Sequence, residues 1–114
     1  MGRLGFMIAL MAGPAMAEEW HSLGPADITA ALSARVLAYT DGSTQNFHAD
    51  GATSYEAGRV TLGHWRVLGD QYCSNWPPSD RWACYDVQAE GAGLDLRFVA
   101  QDGSTTQGRY IDLR

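Results

Sequence analysis

The chain has 114 residues, a formal net charge of −5 and no lysine. An acidic protein repels phosphate backbones and anionic headgroups, which argues against nucleic acid and anionic lipid as partners. The length corresponds to a single domain whose hydrophobic core is marginal, so a covalent link would strengthen it.

The first seventeen residues predict a secretory signal peptide. A positive head ending at Arg3 precedes the apolar run LGFMIALMA, and Gly13-Pro14 breaks that run before Ala15-Met16-Ala17. This order is typical of a cleaved export signal, and the run is far shorter than the roughly 20 residues of a membrane-spanning helix. We expect cleavage after Ala17 and a periplasmic or secreted product without membrane insertion. Residues 18–114 then form one domain with a formal charge of −6.

One short helix is expected within the segment SLGPADITAALSAR. Pro25 suits the first helical position, because its missing N–H has no partner there in any case. Asp27 in the first turn interacts favourably with the positive end of the helix dipole. Ile28, Ala31 and Leu32 follow at helical spacing, which predicts an apolar stripe that packs on a sheet.

The remainder predicts a mainly β (α+β) fold, an antiparallel up-and-down meander or partial barrel. Short alternating segments end in tight-turn signals, above all the Asp-Gly pairs that begin at Asp41, Asp50 and Asp102. Strands at this spacing are typical of a meander, and the sequence leaves open whether the sheet closes. The predicted strands are 36–40, 44–49, 52–56, 62–68, 71–76, 82–89, 94–101 and 106–112.

Alternation along two of these segments predicts the core. Side chains two residues apart in a strand share one face of the sheet, so the apolar members of each segment are expected to point inward. The predicted core residues are Leu94, Leu96, Phe98, Trp65 and Val67, and the polar residues between them are expected to face solvent.

Cys73 and Cys84 are the only cysteines, and in an exported protein we expect them to be paired. A hairpin that joins them places Tyr72 opposite Tyr85, with Pro77-Pro78 in the turn. The bond closes a loop of about 12 residues, which corresponds to roughly 2.8 kcal/mol of stabilisation. A redox role is not expected, because the chain has no Cys-x-x-Cys motif.

The aromatic residues around this hairpin form a candidate binding patch. A turn stiffened by proline could present them to a sugar ring or a proline-rich peptide. Alternatively, they cover the disulfide and the end of the sheet. We expect Trp82 to be buried, Trp76 to be exposed, and Arg81 to lie across Trp76. The patch consists of Tyr72, Trp76, Arg81, Trp82 and Tyr85.

The order of a short helix, YTDGSTQNFHADG, GHWRVLGDQYC and a second cysteine resembles a family of small exported bacterial proteins of unknown function. The resemblance covers roughly residues 25–87. It implies a lipocalin-like β-meander and brings no assigned activity. The matching residues are Phe47, Asp50, Gly51, Gly63, Trp65, Val67, Gly69 and Cys73.

Catalytic and metal motifs are weak in this sequence. His48, Asp50 and His64 are weak candidates for a metal site, since they follow no HxH, HxxxH or HExxH spacing. A nucleophile elbow and a P-loop are missing, and a meander of this size is expected to leave little room for a cleft. We therefore expect no enzyme activity and no cofactor.

The predicted function is a non-catalytic binding or interaction module of the cell envelope. Its partner would be an unknown envelope protein, a peptide or a small ligand, held at the mouth of the sheet or along an open edge strand. The alternative is a small periplasmic metal-binding protein or enzyme that uses His48, Asp50 and His64.

Overall fold

The computed structural model describes residues 19–112, so the predicted signal peptide and its cleavage site lie outside the described residues. Residues 19–112 contain one helix and nine strands in a single antiparallel sheet. The elements are β1 (Trp20–Ser22), α1 (Pro25–Leu32), β2 (Arg35–Tyr39), β3 (Thr44–Phe47), β4 (Ala52–Glu56), β5 (Val60–Leu68), β6 (Gln71–Asn75), β7 (Trp82–Glu90), β8 (Asp95–Val99) and β9 (Thr105–Tyr110).

The predicted meander is confirmed, and it closes into an eight-stranded barrel. Each strand from β2 to β9 pairs with the next one along the chain, and β9 pairs with β2 through Leu37 and Tyr110. The short β1 adds to β7 beyond the part that pairs with β6. Because each of the eight barrel strands has two neighbours, the open barrel edge that strand addition requires does not exist within residues 35–110.

Helix α1 fills one end of the barrel, here called the closed end. Ile28 and Leu32 are fully buried and join the core cluster that contains Phe47 and Trp65. The hydroxyl of Tyr110 on the last strand donates a hydrogen bond to the Ala31 carbonyl at 2.7 Å. The helix therefore seals this end against both the first and the last strand of the ring. Within residues 19–112, no helix is both long enough and apolar enough to cross a membrane.

Three of the hairpin turns repeat one Asp-Gly design. In the turn after β2, the Gly42 N–H donates to the Tyr39 carbonyl at 2.9 Å, and Asp41 Oδ1 accepts from the Ser43 N–H at 2.9 Å. Gly42 has a φ of 92°, in the region that favours glycine. The same bonds recur in residues 48–52 and 100–104, which confirms the predicted turns.

The turns alternate between the two ends of the barrel, as in any up-and-down ring. The β3–β4, β5–β6 and β7–β8 turns lie at the closed end with α1. The β2–β3, β4–β5, β6–β7 and β8–β9 turns surround the opposite end, here called the open end. The architecture is lipocalin-like, because eight up-and-down strands surround a ligand-sized interior.

Four of the five predicted core residues pack in the core, and one does not. Trp65, Leu96 and Phe98 are buried, and Val67 packs against them. The prediction for Leu94 is wrong, since its side chain is 43% exposed. Strand β8 begins one residue later, so Leu94 belongs to the preceding turn and does not follow the strand alternation.

Asp95 also departs from the prediction that the polar residues of this segment face solvent. Its side chain is buried, because Arg109 of the neighbouring strand pairs with it at 2.6 Å. The ion pair supplies the partner that a buried carboxylate requires.

The predicted disulfide is confirmed. Cys73 and Cys84 are directly opposite each other on β6 and β7 and are joined by a bond of 2.02 Å. The register pairs Tyr72 with Tyr85, as predicted. The bond fixes the hairpin whose turn forms part of the open end.

Candidate functional site

The open end of the barrel contains a cavity of about 450 Å³. This volume lies within the range of about 300–1,000 Å³ that small-molecule sites occupy. The expectation that a meander of this size leaves little room for a cleft is therefore wrong, since closure of the ring creates the space. Six aromatic residues line it: Tyr39, Tyr55, Tyr72, Trp76, Tyr85 and Phe98. Six polar residues complete the wall: Asp41, Ser43, Gln45, Thr61, Ser74 and Thr106.

The aromatic rings of the cavity hold one another in place. The centroid of the Tyr72 ring lies 5.3 Å from that of Phe98 and 5.8 Å from that of Tyr85. On the other side, Tyr55 lies 6.4 Å from Tyr39 and 6.1 Å from Trp76. These separations fall in the favourable range of about 4.5–7 Å for aromatic pairs. The wall is therefore rigid before any ligand enters it.

Two glycines make room for rings at the open end. A Cβ atom at Gly63 would lie 2.6 Å from Cε3 of Trp76, and one at Gly108 would lie 2.9 Å from Cδ1 of Tyr39. Real Cβ atoms do not come so close, so each ring packs against strand backbone that only glycine leaves uncovered. Gly63 is one of the residues that carry the family resemblance, and it lies inside β5.

Gln45 forms a buried polar floor beneath the rings. Its Oε1 accepts a hydrogen bond from the Tyr39 hydroxyl at 2.6 Å. Its Nε2 donates to Thr53 Oγ1 at 2.9 Å and to the Tyr72 hydroxyl at 3.1 Å. Both hydrogens of the amide are thus donated and its oxygen accepts one bond, and these bonds fix the positions of two of the four tyrosines.

The other two tyrosines keep free hydroxyl groups. Neither Tyr55 nor Tyr85 forms a side-chain hydrogen bond with any residue between 19 and 112, and both are half-buried in the cavity wall. A phenol both donates and accepts, so these two groups can bind a polar part of a ligand.

The buried phenols are neutral at physiological pH. Burial raises the pKa of Tyr39 well above its ordinary value of 10.0, and the nearby Tyr72, Tyr55 and Tyr85 add to the shift. Burial also raises the pKa of Tyr72, although hydrogen bonds from Ser74 and Gln45 oppose this shift. These groups can donate hydrogen bonds but cannot act as general bases near pH 7.

Asp41 carries the only charge among the residues that line the cavity. Its Oδ1 accepts hydrogen bonds from the Ser43 hydroxyl at 2.6 Å and from the Ser43 N–H at 2.9 Å. These bonds lower the pKa of Asp41 below its ordinary value of 3.8, so the carboxylate stays ionised. The entrance of the cavity, here called the rim, therefore has a fixed negative charge, and no arginine or histidine between residues 19 and 112 lines the cavity to oppose it.

The structure divides the predicted binding patch between two surfaces. Tyr72, Trp76 and Tyr85 line the cavity, whereas Arg81 and Trp82 are exposed and do not line it. Trp82 is 37% exposed and Trp76 is half-buried, so the prediction that Trp82 is the buried one and Trp76 the exposed one is wrong.

Strand geometry explains this reversal. Trp76 is four residues from Tyr72 and shares its inner face, whereas Trp82 is three residues from Tyr85 and lies on the opposite face. On the outer surface, the guanidinium of Arg66 stacks 3.9 Å above the centre of the Trp82 ring, where Arg81 stacking on Trp76 had been expected.

The three candidate metal ligands do not form a site. His48 and Asp50 lie in the exposed β3–β4 turn, and His64 lies exposed on the outer face of β5. Within residues 19–112, no group of three or more His, Cys, Asp or Glu side chains could hold a metal ion.

Several cavity residues were absent from the predicted site. Tyr39, Asp41, Gln45 and Tyr55 come from segments that had been considered only as strands and turns. The signal that could have found them is alternation, because Tyr39 and Gln45 each lie two residues from a fully buried core residue.

No protein-family model, curated protein or solved structure matches this chain. The resemblance to a family of small exported proteins therefore stays a prediction. The barrel and its cavity are the observations that bear on function.

Proposed function

We propose that this protein is a non-catalytic binding module, exported from the cytoplasm, that holds one small ligand in the open end of its barrel. The observation that carries the proposal is the preformed cavity of about 450 Å³ lined by six aromatic side chains. Small-molecule sites are typically concave and mostly apolar, with a few placed polar groups. Eight-stranded barrels are wide enough to hold a single small ligand.

The chemistry of the wall supports binding over catalysis. The buried phenols have raised pKa values and are neutral, and Asp41 is a solvent-exposed carboxylate with a lowered pKa. Ser43 donates its hydroxyl hydrogen to Asp41, and among the described residues no histidine lines the cavity to activate Ser43 as a nucleophile. A rigid wall also loses little conformational entropy when a ligand binds.

The Cys73–Cys84 disulfide supports export, because disulfides persist mainly outside the cytoplasm. Together with the signal-peptide pattern in residues 1–17, it supports a periplasmic or secreted location.

The cavity can be tested with the neutral fluorescent probe N-phenyl-1-naphthylamine. We expect one probe per chain to bind saturably and to quench tryptophan fluorescence, because Trp76 lines the cavity. Thr61→Phe places a ring in the cavity and should abolish binding. Leu62→Phe is the matched control, since Leu62 is 69% exposed on the outer face of the same strand.

Equal loss of probe binding in the two variants would contradict the proposed site. Binding of several probes per chain with no effect of either variant would contradict it as well. Thermal unfolding of both variants shows whether the introduced ring has simply destabilised the barrel.

A further inference from the structure

The charges around the cavity define which ligands it can hold. Among the residues that line it, Asp41 is charged and the others are aromatic, hydroxylic or amide side chains. An anionic ligand would meet a carboxylate and no counter-charge. A cationic ligand would meet the carboxylate and several electron-rich rings, and both attract positive charge.

The rings at the open end have the composition of an aromatic cage. Tyr39, Tyr55, Trp76 and Tyr85 line the same space, and tryptophan and tyrosine faces attract cations most strongly. Tyr55 contacts both Tyr39 and Trp76, and Tyr85 packs against Phe98 in the same wall, so the rings are held in place without a ligand. Recognition of quaternary ammonium groups uses this combination of rings.

Further carboxylates lie around the entrance of the cavity. Asp41 and Glu56 together line a recess between the β2–β3 and β4–β5 turns. Across the four turns of the open end and the strand residues next to them, four carboxylates stand against two arginines. These charged residues are Asp41, Glu56, Asp80, Asp102, Arg59 and Arg81. Such an excess raises the local concentration of cations at the entrance.

We propose that the ligand of the cavity is an organic cation, a substituted ammonium compound whose charged group binds between the aromatic rings and the Asp41 carboxylate. This inference rests on the proposed function, because it names the class of ligand for the same site. The free hydroxyls of Tyr55 and Tyr85 complement it, since each can bind an ester, hydroxyl or N–H group beside the charged centre.

The test compares two probes of nearly equal shape. Acetylcholine carries a trimethylammonium group, and 3,3-dimethylbutyl acetate carries a neutral tert-butyl group in its place. Titration of the purified protein, followed by tryptophan fluorescence and calorimetry, gives both dissociation constants. We expect acetylcholine to bind at least about tenfold more tightly, because desolvated cation–π contacts and the carboxylate act on the cation alone.

Two matched variants assign the effect to Asp41. Asp41→Asn should weaken acetylcholine binding several-fold and leave the neutral probe unchanged. Asp102→Asn is the control, because Asp102 forms the same two bonds with Ser104 in another turn of the open end and does not line the cavity. Asp102→Asn should weaken acetylcholine binding less than Asp41→Asn does, because only the long-range attraction at the entrance is reduced, and it should leave the neutral probe unchanged.

Equal binding of the two isosteres, or equal effects of the two variants, would overturn the inference. If N-phenyl-1-naphthylamine still binds in the cavity in that case, only the charge preference is wrong. Failure of all three probes would contradict the proposed function itself.

Discussion

Replacing Gly63 with alanine tests how tightly Trp76 packs against the barrel wall. A Cβ at this position would lie 2.5 Å from the Asn75 carbonyl oxygen and 2.6 Å from Cε3 of Trp76. Since carbon atoms in contact are about 3.5–4.0 Å apart, the ring has to move by about 1 Å. The φ of Gly63 lies outside the left-handed region, so its own conformation suits alanine, and the cost comes from displacing both the Trp76 ring and the Asn75 carbonyl of the neighbouring strand.

The expected loss of stability is about 1–2 kcal/mol. Overpacking of a tight interior costs about 1–3 kcal/mol, and the lower entropy of the unfolded alanine chain offsets about 0.4–1 kcal/mol of it. For a domain of this size, each kcal/mol lowers the melting temperature by roughly 4–8 °C. Urea denaturation followed by circular dichroism measures the change.

The control for this substitution is Gly91→Ala. Gly91 lies in a turn with no atom within 4 Å of an added Cβ and without a left-handed φ, so its replacement should be neutral or slightly stabilising. In a Trp76→Ala background, Gly63→Ala should lower the free energy of unfolding by less than it does in the original protein. The difference between the two effects should be at least about 0.5 kcal/mol. A Gly63→Ala protein as stable as the Gly91→Ala protein would refute the packing of Trp76 against this strand.

Three further predictions follow from buried or bonded groups. Reduction of the Cys73–Cys84 disulfide should lower the free energy of unfolding by roughly 2.8 kcal/mol. The oxidised protein should have no titratable thiol. An unchanged melting temperature after reduction would contradict this prediction. Trp82→Ala should lower the free energy of unfolding, measured by urea denaturation, by only about 1 kcal/mol, because the ring is 37% exposed and stacks on Arg66. A loss above about 3 kcal/mol would mean that the ring is buried. Burial raises the pKa of Tyr39, so its stabilising effect is complete below pH 10.0 and is lost as the pH rises further. The urea midpoint should therefore hold up to pH 10.0 and fall as the pH rises above it, and it should fall less in Tyr39→Phe. An equal fall in both proteins would contradict that assignment.

The local features of this fold could be predicted from sequence because their signals are local. An Asp-Gly pair determines its own turn through bonds within five residues, and the register of the Cys73–Cys84 hairpin follows from the pairing of the cysteines. The helix beginning at Pro25 was predictable for the same reason, since its start signals and apolar stripe lie within eight residues.

The remaining features depend on contacts that no short segment contains. Closure pairs β2 with β9, and the cavity exists only inside the closed ring. The three residues of β1 are too few to show alternation, so this strand was missed. The positions of Trp76 and Trp82 are a different case, because alternation along the hairpin places Trp76 on the face of Tyr72 and Trp82 on the opposite face.

Closure of the ring also determines the order in which the chain can complete its fold. Seven of the eight barrel pairings join strands that are neighbours in sequence, and only β2 with β9 joins distant ones. Arg35 and Asp112, which form an ion pair beside this seam, are 77 residues apart. Hairpins can form early, but joining ends so far apart has a high entropic cost and is slow. A newly made chain therefore has no enclosed cavity until its last strand docks, and a chain shortened before Thr105 would expose two strand edges prone to aggregation.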